Sequence, residues 1–113
     1  METRQVIDAL SALAQETRLA IYRLLVQGGP GGLSAGAIAE ALDVPASSLS
    51  FHLAHLSRAG LIAQRRESRS LIYAADFAGM NALVGYLTEN CCEGDLEACA
   101  PVSTTKRSGG RRA

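Results

Sequence analysis

The apolar spacing of this chain changes period at Gly60, and that change limits the fold more than any other feature. Before Gly60 apolar residues recur at the three- and four-residue spacing of amphipathic helices; after it come two short runs bounded by turn residues, which read as strands. On the helical side, residues 3–13 place Val6, Ile7, Leu10 and Leu13 at helical spacing. A second helix is expected from about Glu16 to Gln27, with Leu19, Ile21, Leu24 and Leu25 on its apolar face, ended by Gly28-Gly29-Pro30-Gly31-Gly32. Ser34 suits the N-cap of a third helix containing Ala37, Ile38, Ala41 and Leu42. Asp43-Val44-Pro45 is a short turn. A fourth helix follows from about Ala46 to Ala59, with Leu49, Leu53 and Leu56 on one face and Gly60 at its stop position. Past Gly60, strands over Leu61–Arg66 and Ser70–Ala74 are joined by Glu67-Ser68-Arg69. Asp76 then caps a last helix through about Asn90, with Phe77, Met80, Leu83, Val84 and Leu87 on its apolar face.

This order predicts a mainly α, winged helix-turn-helix fold: four helices, a two-stranded hairpin and a fifth helix. A chain of 113 residues suits one domain. With two Phe, three Tyr and no Trp, its core must be built from Leu, Ile, Val and Ala. A domain this small buries a modest share of its surface, which favours a homodimer. The expected organisation is a DNA-binding and dimerisation domain over 1–91, a cysteine-containing inducer loop over 92–99, and a disordered basic tail over 100–113. No apolar stretch approaches the roughly 18 residues of a membrane span. The opening METRQVIDAL lacks a signal-peptide apolar run. The expected setting is therefore the cytoplasm, without a membrane partner, where thiols stay reduced.

Net charge is zero, but it is unevenly placed. Arg58, Arg65, Arg66 and Arg69 cluster against one acid, Glu67, whereas Asp76 to Glu97 holds five acids and no Lys or Arg. Lys106, Arg107, Arg111 and Arg112 follow in the tail. Such clustering points to nucleic acid. The second helix of a helix-turn-helix enters the major groove with its N-terminal residues toward base edges. Here these are Ala46, Ser47, Ser48, Ser50 and Phe51, with His52 beside them. Serine hydroxyls can bond bases or phosphates, and free N–H groups at a helix start favour phosphate. Arg65, Arg66 and Arg69 of the hairpin suit backbone or minor-groove contact with double-stranded operator DNA. His52 and His55, three apart on one helix, have a metal-compatible spacing, but no Cys, Asp or Glu of that helix completes a site.

Three stretches carry a family likeness. ALSALAQETRLAIYRLL resembles the opening helices of the ArsR (ArsR/SmtB-type) repressors, VPASSLSFHLAHLSRAGLI their helix-turn-helix signature, and AQRRESRSLIYAA their wing. The likeness covers about residues 5–90. It implies a homodimer paired through the first and last helices, and a repressor that leaves its operator when an inducer binds. The chain also departs from the family. Where many members carry Cys-x-Cys at the start of the third helix, it reads LSAGAIAEAL, and its last helix contains no His, as the zinc-sensing pattern would require.

The soft ligands lie elsewhere. Cys91, Cys92 and Cys99 are the only cysteines in the chain. Soft thiolates select soft ions, and three sulfurs without a nearby His match trivalent arsenic better than structural zinc, which takes four ligands. Some ArsR-like repressors resemble this chain in carrying a vicinal Cys pair plus a third Cys after the last helix, and these respond to arsenic. The expected inducer is As(III), with Sb(III) alongside, and no cofactor is expected for DNA binding. Cadmium, lead, zinc and thiol oxidation are the alternative signals. Neighbouring helical residues point about 100° apart. Cys91 and Cys92 can therefore share one ion with Cys99 only where the helix ends or unwinds, and Gly94 permits such a break. A small cysteine enzyme is disfavoured, because a helix C-terminus opposes thiolate formation and no base lies beside these thiols.

Overall fold

The computed structural model describes residues 1–90. It contains helices α1 (Thr3–Leu13), α2 (Glu16–Gly28), α3 (Ala35–Leu42), α4 (Ala46–Arg58) and α5 (Phe77–Leu87), and strands β1 (Leu33–Ser34), β2 (Ile62–Glu67) and β3 (Ser70–Ala75). The helix order matches the expectation. The caps are the ones expected from their residue types. Ser34 Oγ accepts the Ala37 amide at 3.1 Å, and Asp76 Oδ1 accepts the Gly79 amide at 3.2 Å. Asp43 closes α3 in the left-handed region, with φ 55°.

The exit from α4 is fixed by one glycine and one backbone hydrogen bond. Gly60 takes φ 79°, which costs a residue without a Cβ little, and the Leu61 amide reaches back to the Leu56 carbonyl at 3.2 Å. Leu56 and Leu61 are both fully buried, so this hydrogen-bonded stop also carries its hydrophobic contact.

The sheet has three strands rather than two, in the order β1-β3-β2, all antiparallel. The added strand pairs Leu33 with Tyr73 and Ser34 with Ile72. Two residues are too few to show an alternating pattern, and Ser34 doubles as the cap of α3, which hid this strand in the sequence. Gly32 enables the pairing: at φ 73°, a Cβ there would stand 2.6 Å from the Tyr73 carbonyl oxygen. The β2–β3 loop is also tighter than expected, with only Ser68 and Arg69 between the paired Glu67 and Ser70. Ser68 meets that demand at φ 55°.

The last helix stops at Leu87 instead of continuing to about Asn90. Thr88 Oγ1 donates to the Val84 carbonyl at 2.8 Å, the Glu89 amide tightens onto the Tyr86 carbonyl, and Asn90 lies at φ 59°. The Val84 carbonyl thus takes both the amide and the hydroxyl of Thr88, and the Glu89 bond closes a three-residue turn in place of a further helical one.

Ile21 and Leu25 of α2, Ile38 of α3, and Leu49, Leu53 and Leu56 of α4 form the core, with Val6, Ala9 and Ala12 of α1 and Leu83 of α5 closing it. The Tyr22 hydroxyl is buried with no hydrogen-bond partner among the described residues; burial first, and then the Asp76 carboxylate, push its pKa up. Part of each apolar face stays outside the core. Ile7 and Leu10 of α1 and Phe77, Val84 and Leu87 of α5 are all exposed.

The backbone of α5 rests directly on the end of α4. A Cβ at Gly79 would fall 2.0 Å from the Gly60 carbonyl oxygen. Gly79→Ala should therefore destabilise the fold by about 1–3 kcal/mol in urea unfolding. Gly28→Ala, at a helical position with nothing within 4 Å, should be neutral or stabilising. Equal behaviour of the two variants would disprove the contact.

Candidate nucleic-acid interface

The turn between α3 and α4 places α4 with Leu49, Leu53 and Leu56 inward. At about 100° per residue, Ser47, Phe51, Ala54 and Arg58 then point directly outward, with Ser50 on the flank. All five are exposed. Pro45 precedes α4 without a side-chain cap, so the first amides of the helix remain open to an anion. Ala46 is exposed at this same end.

Two of the expected reading residues are engaged locally. The Ser48 hydroxyl donates to the Pro45 carbonyl at 3.2 Å. His52 is half-buried, and its Nδ1 lies 3.2 Å from an Arg18 guanidinium nitrogen. A guanidinium can only donate, so Nδ1 accepts. Arg18 also donates to the Ala12 carbonyl at 2.7 Å and thereby ties the α1–α2 junction to α4.

The hairpin divides its arginines between two roles. Arg65 donates from Nε to Glu67 at 2.7 Å, and its terminal nitrogens donate to the carbonyls of Gly31 at 2.8 Å and Pro30 at 3.3 Å. It clamps the wing onto the Gly29–Gly31 turn, a role its place in a basic cluster did not suggest. Arg66 is one residue on and faces the other side of the strand. Arg66 and Arg69 are exposed and make no ion pair or side-chain hydrogen bond among the described residues. Gln64, on the Arg66 face of β2, lines a cleft of about 280 Å³ against Ser50, Ala54, Ser57 and Arg58 of α4. The structure thus joins Ser47, Ser50 and Phe51 with Ala54, Arg58, Gln64 and Arg66 on one side of the molecule, and leaves Arg69 exposed in the turn at the tip of the wing. Ala54 and Arg58 could have been found by counting outward from the leucine stripe. Gln64 carried no signal of its own.

A second cleft, of about 390 Å³, separates α1 from α4 and is lined by Asp8, Ser11, His55, Arg58 and Ala59. Desolvation, followed by the charges of Arg18 and Arg58 and the neighbouring His52, lowers the His55 pKa against the opposing pull of Asp8. Among the described residues no three His, Cys, Asp or Glu side chains form a metal-binding group. Cys91, Cys92 and Cys99, the 92–99 loop and the 100–113 tail lie outside the described residues.

An outward-facing helix beside a basic hairpin defines a winged helix-turn-helix regulator, and comparison with known proteins agrees. Residues 13–65 match the family model described as a helix-turn-helix domain. The transcriptional activator HlyU of Vibrio cholerae is 33% identical over 89 residues, covering 79% of this chain and 80% of that protein. The homodimeric winged helix-turn-helix DNA-binding domain of Mb0332 from Mycobacterium bovis, a possible ArsR-family transcriptional regulator, is 33% identical with a TM-score of 0.61, covering 80% of this chain and 84% of that one. A possible transcriptional regulator for arsenical resistance is 26% identical with a TM-score of 0.63, over 85% of this chain and 98% of that one. The chain belongs to the ArsR (ArsR/SmtB-type) family of winged helix-turn-helix transcriptional regulators. These relatives are regulators, not enzymes. No helix among the described residues is long and apolar enough to cross a membrane.

The division among the wing arginines is testable by stability alone. Arg65→Ala should lower unfolding stability by about 1 kcal/mol through its lost bonds to Glu67 and the Gly29–Gly31 turn. Arg66→Ala and Arg69→Ala should stay within about 0.5 kcal/mol of the parent. Three equal effects would contradict the clamp.

Proposed function

We propose that this chain is an arsenite-responsive repressor. It binds operator DNA as a homodimer and releases it when As(III) engages Cys91, Cys92 and Cys99. One observation carries the DNA half of this reading: the outward face of α4 and Arg66, which makes no ion pair among the described residues, share one side of the molecule, with the exposed Arg69 at the tip of the same hairpin. The α4 residues suit base edges in the major groove, and the arginines suit the phosphates alongside.

The exposed apolar residues of α1 and α5 support the dimer. Ile7, Leu10, Phe77, Val84 and Leu87 lie on two helices joined by a 2.9 Å hydrogen bond between the Thr3 and Tyr86 hydroxyls. A second copy of the same surface would cover them, as in a symmetric pair, and the homodimeric Mb0332 domain is consistent with that pairing. Two reading helices would then address half-sites about one helical turn apart.

For the inducer, the support is chemical. Both histidines of the chain are on α4, so the only soft donors that follow α5 are the three thiols. Three thiols displace the three hydroxyls of arsenous acid as water and leave an all-sulfur, three-coordinate arsenic. α5 ends at Leu87, ahead of all three thiols in the chain. The likeness to a possible transcriptional regulator for arsenical resistance points the same way.

Arsenite should bind one equivalent per subunit and release the operator in a gel-shift assay. Cys91→Ser and Cys92→Ser should sharply weaken that release, and Cys99→Ser less so, without loss of DNA binding. X-ray absorption should give three As–S neighbours and no oxygen. A four-coordinate zinc shell, or release by peroxide instead of arsenite, would reassign the signal. Full induction with all three cysteines replaced would remove them from the mechanism.

The electrostatic share is separable. Each phosphate contact contributes about 0.9 to the slope of log affinity against log salt. The Arg66→Ala/Arg69→Ala double variant should therefore flatten that slope by about two units per subunit. An unchanged slope would remove the wing from the interface.

A further inference from the structure

Phe51 is 65% exposed, the most of any exposed large apolar side chain among the described residues. It belongs neither to the core stripe of α4 nor to the apolar face of α1 and α5. Its neighbours on the outward face are small: Ser47 one turn before and Ala54 one turn after. The ring therefore stands proud of the helix, braced edge-on by His52 at a centroid distance of 6.0 Å and an interplanar angle of 69°.

Beside it on the outward face stand Ser47, Ser50 and Ala54, with Arg58 two turns on, so that face offers hydroxyls and a cation but no second large apolar side chain, and it complements a polyanion rather than an apolar protein patch. On the base edges of the major groove the one apolar group that projects is the C5 methyl of thymine; apart from the flat C5–H of cytosine, the other positions present hydrogen-bond donors and acceptors. A phenyl ring pressed against those would strip water from them and return no hydrogen bond. We infer that Phe51 is a specificity residue that reads the 5-methyl group of one thymine in each half-site. The inference rests on the operator-binding reading above and adds what one of its residues recognises.

The test uses the full chain and duplexes selected by it from a random pool. In the selected duplex each thymidine is replaced in turn by deoxyuridine, which removes the methyl and nothing else. The parent protein should lose about fourfold in affinity at one thymidine per half-site, the amount expected for one buried methyl group. Phe51→Ala should bind the two duplexes equally, and Phe51→Leu, which keeps an apolar side chain, should still discriminate. Folding is not at issue at so exposed a position, and thermal unfolding of both variants checks it. Indifference of the parent to uridine at every position would overturn the inference, as would undiminished discrimination by Phe51→Ala. Failure to select any preferred duplex would overturn the operator-binding reading and this inference together.

Discussion

Leu61 uses its two backbone polar groups to hold three elements in register. Its amide donates to the Leu56 carbonyl and ends α4, while its carbonyl accepts the Asp76 amide at 2.9 Å, just before α5 begins. Between those bonds the chain travels out along β2 and back along β3. The hairpin is thus closed at its base by the residue that also stops the reading helix. The direction of the wing, and so the placing of Arg66 beside the outward face of α4, follows from this joint. Its side chain, fully buried beside that of Leu56, keeps water away from both bonds.

Much of this fold was legible because single residue types act locally. Ser34 and Asp76 cap helices with their own oxygens, Gly60 admits a positive φ, and leucines at three- and four-residue spacing mark the inner face of α4. The features that escaped are those in which distance along the chain conceals a partner. β1 exists only because Gly32 lets Leu33 approach Tyr73, some forty residues away. Arg65 reads as one more cation in a basic cluster until the carbonyls of Pro30 and Gly31 are seen beneath it. The early stop of α5 is marked by the Glu89 amide bonding only three residues back and by Asn90 turning to a positive φ, neither of which apolar periodicity registers.

The candidate interface was legible in kind and less so in membership. Residue type and position in the motif point to the start of α4, and the helical period then sorts its residues. Ser47, Ser50 and Phe51 face outward, Ser48 turns to Pro45, and His52 turns to Arg18. Period-two alternation sorts the wing in the same way, because consecutive Arg65 and Arg66 cannot share a face. A net charge of zero gave no warning of this surface, since overall charge averages over faces that meet different partners.

The contact between Gly79 and Gly60 has a mechanical consequence. Side chains between packed helices act as a soft layer that can change rotamer to absorb small movements. Where one backbone rests on another, that layer is missing and the joint has little compliance. The first turn of α5 is therefore held rigidly against the end of α4, whereas farther along the helix Met80, Leu83 and Tyr86 pack through their side chains. Small shifts of α5 are absorbed more readily at its far end than at this joint.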